Sequence, residues 1–153
     1  MRKINKIIVH CSATKEGQYF TVADITRWHK ERGFRTIGYH YVIYLDGTIE
    51  VGRTPSEVGA HCLGQNANSI GICYIGGLDS GGKPKDTRTP EQKESLKCLI
   101  ETLCKRYPIE EIGGHRDYSP DKNGNGVIEP SEWLKDCPCF DVIPEFKYLL
   151  NTI

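Results

Sequence analysis

The dipeptide Asp46-Gly47 is the feature that most restricts what this chain can fold into. It separates two strand-like stretches, 38–45 and 48–53, and Asp-Gly in such a position is the strongest short signal for a β-hairpin. Further strand-like stretches, at 3–10, 69–75 and 111–113, alternate irregularly with helical segments. The sequence therefore predicts an α/β protein, or α+β by stricter naming, in which a central mixed β-sheet is flanked by helices.

Three segments carry the signals of helices that pack on this sheet. Thr21 and Asp24 form a capping-box pattern and Gly33 follows the expected helix end, so residues 22–32 are predicted to be helical. A second helix is predicted from Pro90, where a capping pattern precedes apolar residues that recur with helical spacing. A C-terminal helix is expected to turn four apolar side chains inward, namely Ile143, Phe146, Leu149 and Leu150.

Length and composition predict one domain over residues 1–153. A chain of 153 residues with 38% hydrophobic residues can bury a core of its own. Lys and Arg number 20, as do Asp and Glu, so no long basic surface and no nucleic-acid partner are expected. No apolar stretch approaches the roughly 20 residues that cross a bilayer, and no apolar signal-peptide core follows Met1. We expect a protein with no membrane partner that is cytoplasmic as synthesised.

The histidines differ in where the predicted elements place them. His29 lies in a polar helical run and is expected to face solvent. His10 and His115 each lie where a strand gives way to a loop, which is where clefts form at sheet ends. Most of the seven cysteines are expected to be buried thiols, but Cys137 would complete a donor set suited to Zn²⁺. The spacing of these three residues alone is not a metal-binding signature.

Eight short segments occur in the order found in one enzyme family. They are Val9-His10-Cys11-Ser12-Ala13-Thr14, Trp28-His29-Lys30, Gly38-Tyr39-His40-Tyr41, Asp46-Gly47-Thr48, Gly59-Ala60-His61, Asn68-Ser69-Ile70-Gly71, Gly114-His115-Arg116 and Cys137-Pro138-Cys139-Phe140-Asp141. In this ordered set the chain resembles the zinc-dependent N-acetylmuramoyl-L-alanine amidases of the short phage-lysozyme type, which are related to peptidoglycan recognition proteins. The resemblance covers Ile7 to Asp141, and the ordered set is specific although no single segment is.

The resemblance implies the fold of that family and a zinc ion as cofactor. The zinc would be held by His10, His115 and Cys137. In the family pattern the ligand is the cysteine that precedes proline, so Cys137 is assigned, with Cys139 as the alternative.

Two catalytic residues, Tyr39 and Lys135, are also implied by the resemblance. Amide hydrolysis requires an activated water, a proton route to the leaving amine and stabilisation of the oxyanion. Zinc activates the water and polarises the carbonyl. Lys135 can offer a positively charged donor to the oxyanion, and Tyr39 can orient the water or relay its proton.

The implied reaction is hydrolysis of the amide between N-acetylmuramic acid and L-alanine of the peptidoglycan stem peptide, as in an endolysin. His61, Asn68 and Ser69 are expected to line the substrate groove. The enzyme is expected to be a monomer that acts on the cell wall after release.

One alternative function is that of a non-catalytic peptidoglycan-binding module on the same fold, which would have no need of Cys137. Another is a generic zinc peptidase, which the lack of a helical His-pair motif disfavours.

Residues 121–132 match the spacing of an EF-hand calcium loop. Oxygen-bearing side chains occupy loop positions 1, 3, 5, 9 and 12, and glycine occupies position 6. The alternative is an Asn-Gly-rich turn that binds no ion, and Pro120 argues against a full incoming helix. We expect a structural calcium site inserted in the amidase domain. Its ligands would be Asp121, Asn123, Asn125, Glu132 and the carbonyl of Val127.

Overall fold

The computed structural model describes residues 2–120, 122–126, 128–133 and 135–152. Within these residues the strands are β1 (Lys6–Cys11), β2 (Thr14–Lys15), β3 (Tyr41–Ile43), β4 (Ile49–Val51), β5 (Ser69–Tyr74), β6 (Gly77–Leu78) and β7 (Glu111–Gly114). The α-helices are α1 (Val22–Glu31), α2 (Pro90–Arg106) and α3 (Val142–Phe146). Short 3-10 helices occur at Asn66–Asn68, His115–Tyr118, Pro130–Glu132 and Lys147–Thr152.

The predicted central mixed sheet is confirmed. Its strand order is β4-β3-β5-β1-β7, and every pairing in it is parallel except that of β3 with β4. The antiparallel pair is the predicted hairpin, in which the Gly47 N–H donates to the Tyr44 carbonyl at 2.9 Å. Gly47 has a φ of +89°, a conformation that residues with a side chain rarely adopt. The strands β2 and β6 form a separate parallel pair.

The sheet is covered on both faces because successive strand residues point to opposite sides. On one face Tyr41 and Ile43 join the larger buried cluster, to which α2 contributes leucines and an isoleucine. On the other face Val42 packs with Ile25 of α1. Each fully buried apolar side chain of this size contributes about 1.5–3 kcal/mol relative to exposure. The two-sided burial fixes the register of the central strands.

The helix starts follow the predicted caps. The Thr89 hydroxyl accepts a hydrogen bond from the Gln92 N–H at 3.1 Å, and the Gln92 side chain accepts one from the Thr89 N–H at 2.9 Å. Thr21 and Asp24 make the same reciprocal pair at the start of α1. None of the helices in the described ranges has the length and apolar character needed to cross a membrane.

Two expectations about helix faces are wrong. His29 is buried rather than solvated, because α1 ends against the chain segment before β3 and the Gly38 N–H donates to His29 Nδ1 at 2.9 Å. In the C-terminal helix Ile143 is 45% exposed, and Val142 takes its inward place. The helix begins at Val142, so the inward positions are Val142, Phe146 and Leu149, spaced four and three residues apart.

Candidate metal centre and groove

Two histidines and a cysteine from distant parts of the chain meet at one edge of the sheet. His10 lies near the end of β1, and His115 directly follows β7. These strands are parallel neighbours in which Val9 pairs with Gly114, so both imidazoles leave the sheet at the same edge. Cys137 joins them from the C-terminal segment, and the candidate ligand atoms of all three residues lie within 4.8 Å of one another.

Backbone hydrogen bonds hold Cys137 at this position. The Cys11 N–H donates to Cys137 Sγ at 3.2 Å, and the Arg116 N–H donates to the Cys137 carbonyl at 2.9 Å. The Arg116 guanidinium also donates to Asp141 Oδ1 at 2.6 Å. The segment that carries the sulfur is therefore tied both to the end of β1 and to the turn after β7.

Cys139 lies outside this cluster although it is close in sequence. Its thiol donates to the Gly77 carbonyl at 3.3 Å. A side-chain hydrogen bond with Cys11, and next burial, raise the pKa of Cys139 far above its ordinary value, which favours the thiol form of this sulfur. Among the described residues, the group with metal-binding spacing contains Cys137 and not Cys139.

Burial favours the neutral form of four histidines in this region, His10, His61, His29 and His40. Burial, and next the nearby His61, lower the pKa of His10 well below its ordinary value. Burial lowers the pKa of His61 to about 3 and those of His29 and His40 to about 4. Neutral imidazole is the form that binds metals, so the ionisation state of His10 suits a ligand.

Tyr39 and Lys135 both lie at the groove next to the centre. The Tyr39 ring centroid is 5.0 Å from that of His10. Burial raises the pKa of Tyr39 well above its ordinary value, so its phenol keeps its proton. Lys135 is exposed and lines the same groove, and its charge is among the factors that lower the pKa of His10. The structure thus brings together the two residues expected to be catalytic.

The groove has a volume of about 700 Å³, and two of the three candidate ligands, His115 and Cys137, line it. Of the residues expected to bind substrate, His61 lines it, whereas Asn68 and Ser69 do not. Ser69 is completely buried and its hydroxyl bonds within the protein, which corrects the expectation that it contacts substrate. Asn66 lines the groove in place of Asn68, and its Oδ1 accepts from the N–H groups of His61 and Cys62, each at 2.9 Å.

Sequence reasoning missed two other groove residues, Arg32 and Phe34. They follow α1, and the Arg32 guanidinium lies 5.4 Å from the Phe34 ring centroid. No sequence pattern marks them, because their place in the groove depends on where the chain runs after the helix.

The expected calcium loop is only partly within the described residues. Asp121 and Val127 lie outside them, and the Glu132 side chain is not described. Asn123 and Asn125 both donate to Glu129 Oε1, and the Asn125 N–H donates to Asn123 Oδ1 at 3.1 Å. Gly126, at loop position 6, has a φ of +83°, as the sharp turn of such a loop requires.

Solved structures with a similar backbone fold place this chain in a known class. The N-acetylmuramoyl-L-alanine amidase LysC from Clostridium intestinale has a TM-score of 0.74 at 29% identity, covering 98% of this chain and 87% of LysC. The peptidoglycan recognition protein PGRP-LB of Drosophila has a TM-score of 0.69 at 24% identity, over 96% of this chain and 81% of its own. The second likeness shows the fold alone. The class is that of the amidases related to peptidoglycan recognition proteins.

Within this class the chain belongs to the N-acetylmuramoyl-L-alanine amidase family, which matches residues 1–127. The endolysin of Enterobacteria phage T3 is 43% identical over 136 residues, which are 89% of this chain and 81% of that protein. The endolysin of Escherichia phage T7 is 42% identical over 136 residues, with the same two coverages. The chain is a peptidoglycan hydrolase that cleaves the amide between N-acetylmuramic acid and L-alanine.

Proposed function

We propose that this amidase depends on zinc and acts as an endolysin. The observation that carries the zinc dependence is the convergence of His10, His115 and Cys137, whose ligand atoms lie within 4.8 Å of one another. Three protein ligands leave a fourth tetrahedral position open, which distinguishes catalytic zinc sites from structural ones. The two phage endolysins support the biological role, in which the enzyme reaches the cell wall after release.

The donor set fits zinc in type and in spacing. Zinc accepts imidazole nitrogen and thiolate sulfur together, and it does not require a particular d-electron geometry. Typical Zn–S and Zn–N bonds at a tetrahedral angle separate the two donor atoms by about 3.6 Å. The observed distance from Cys137 Sγ to His10 Nδ1 is 3.9 Å, so little movement is needed.

The proposed mechanism divides the work between the cofactor and the chain. When bound, zinc supplies a Lewis acid for the scissile carbonyl and the attacking water. Tyr39, with its protonated phenol beside the His10 ring, orients that water and relays a proton towards the leaving amine of L-alanine. Lys135 places a positive charge beside the oxyanion that develops on the carbonyl. The neighbouring groove positions the muramyl peptide so that its amide meets these groups.

A digestion of purified peptidoglycan measures the bond specificity of the amidase directly. We expect new N-terminal L-alanine to accumulate while the number of reducing sugar ends stays constant. A preparation of the Cys137→Ser variant serves as the matched control for contaminating hydrolases. New reducing ends without new alanine termini would contradict the amidase specificity.

The alternative of a non-catalytic binding module predicts a different result. Such a module would sediment with peptidoglycan and release no alanine. The complete set of three candidate ligands argues against it, because binding alone does not require two histidines and a cysteine with metal-binding spacing.

We also propose that residues 121–132 bind a structural calcium ion. The support is the spacing of oxygen side chains together with the left-handed conformation of Gly126. The loop connects the turn after His115 with the segment of Lys135 and Cys137, so an ion there would order the third ligand.

Calorimetry on the zinc-loaded protein tests the calcium site. We expect one Ca²⁺ to bind, and the double variant Asp121→Ala with Glu132→Ala to lose it. The Lys122→Ala variant is the control, since position 2 of the loop supplies no ligand. Absence of binding at millimolar Ca²⁺ would show that this segment is a plain turn.

A further inference from the structure

A line of hydrogen-bonded side chains runs from the proposed zinc centre into the protein. His10 Nε2 lies 2.8 Å from His61 Nδ1, and His61 Nε2 lies 3.1 Å from Ser69 Oγ. The Ser69 hydroxyl lies 2.7 Å from the carbonyl oxygen of Gln65. His10, His61 and Ser69 are all buried, so no bulk water competes for these contacts. None of these bonds is needed to explain the reaction described above.

The donor and the acceptor of each hydrogen bond follow from the last group in the line, the Gln65 carbonyl. The Gln65 carbonyl can only accept, so the single hydroxyl proton of Ser69 points to it. Ser69 Oγ must then accept from His61 Nε2–H. A neutral imidazole has one N–H, so His61 Nδ1 accepts in turn from His10 Nε2–H. His10 is left with a lone pair on Nδ1, the atom that lies 3.9 Å from Cys137 Sγ.

The position of the His61 ring is itself closely determined. A Cβ on Gly71 would stand 2.6 Å from His61 Cγ, and a Cβ on Gly59 would stand 2.8 Å from His61 Cδ2. Neither glycine has a positive φ, so the space for the ring, rather than backbone freedom, explains the lack of a side chain at both positions. Asn66 fixes the backbone of the same loop through the His61 N–H.

We propose that His61 and Ser69 are positioning residues that set the tautomer of His10, so that its Nδ1 lone pair faces the metal. The role rests on the proposed zinc site. Without this line of bonds His10 can also carry its proton on Nδ1, and that form must lose the proton or turn its ring before it binds zinc. Partners that orient a metal-binding histidine typically contribute about 10–100-fold to metal affinity.

A matched pair of variants tests the proposal. Asparagine and leucine have nearly the same shape, but His61→Asn keeps an acceptor near the position of Nδ1, whereas His61→Leu has none. We expect the zinc dissociation constant, measured by competition with a chelator, to rise about 10–100-fold in His61→Leu and much less in His61→Asn. Ser69→Ala provides a second variant if leucine prevents folding, which thermal unfolding of the metal-free protein would reveal. We expect Ser69→Ala to weaken zinc binding as well.

Imidazole ¹⁵N NMR of the metal-free protein separates this role from the zinc assignment itself. We expect His10 to carry its proton on Nε2 in the unmodified chain, and the His61→Leu spectrum to show Nδ1–H in part of the population. This result can be obtained whether or not the enzyme requires zinc for turnover. A proton on His10 Nδ1 in the unmodified chain would overturn the proposal, as would equal zinc affinities in the unmodified chain and both His61 variants.

Discussion

Cys137 and Cys139 are two residues apart, yet their surroundings differ. Cys137 Sγ faces His10 and accepts a backbone hydrogen bond, whereas Cys139 Sγ donates to the Gly77 carbonyl. Cys137→Ser is expected to lose both zinc and amidase activity, because serine replaces a thiolate ligand by a much weaker neutral one. Cys139→Ser is expected to keep both. Zinc content and alanine release, measured on the two variants, show which cysteine binds zinc. The opposite pattern would make Cys139 the ligand.

Tyr39 and Lys135 are proposed to act on the reacting amide rather than on the metal. Tyr39→Phe and Lys135→Ala are therefore expected to fold and to bind zinc normally. Loss of one group that stabilises the transition state typically lowers the rate about 10²–10³-fold. Turnover and zinc content should be measured on the same preparations. A variant with near-normal turnover would show that its residue has only a structural role.

His29 in helix α1 makes the free energy of unfolding depend on pH. Its Nδ1 accepts from the Gly38 N–H, and burial lowers the pKa of the ring from 6.5 to about 4. Above pH 6.5 the ring is neutral in both folded and unfolded chains, so its contribution to stability is complete. Between pH 6.5 and about 4 the unfolded chain takes up a proton on His29 that the folded chain does not. The free energy of unfolding therefore decreases as the pH is lowered through this range.

Urea unfolding of the metal-free protein at a series of pH values checks this effect. The unmodified chain is expected to lose more stability on acidification than the His29→Gln variant does. The unmodified chain should take up about one more proton on unfolding than the variant. The glutamine variant is the appropriate control because it keeps a polar side chain that does not titrate. An identical pH dependence in the two proteins would mean that His29 titrates alike when folded and unfolded.

The elements that local chemistry specifies were predictable from sequence. Asp46-Gly47 and the caps at Thr21 and Thr89 act within a few residues, and each lies where it was expected. The burial of His29 was not predictable, because its partner is the backbone of Gly38 beyond the helix. Ile143 was misplaced because Val142 and Ile143 lie four and three residues before Phe146, so helical spacing alone does not decide which of the two side chains packs inward.

At the scale of the whole molecule, the parts of the site that depend on local sequence were likewise predictable, and the parts that depend on distant segments were not. Histidines at strand ends indicated a cleft, but the pattern did not show that β1 and β7 are neighbours. The donor types alone offered Cys137 as a third ligand, the family resemblance assigned it, and the structure brings it to the two histidines. The role proposed for Ser69 had no local signal, because its hydroxyl reaches the metal centre only through the His61 ring.

The sheet edge therefore unites three ligands that are far apart in sequence, and amide hydrolysis is proposed to depend on the zinc they hold. The most direct test is the rate of L-alanine release from purified peptidoglycan before and after removal of zinc by chelation. We predict that the metal-free protein stays folded and releases no alanine, and that one equivalent of Zn²⁺ restores the original rate. A full rate of release from a sample verified to be free of metal would contradict this account.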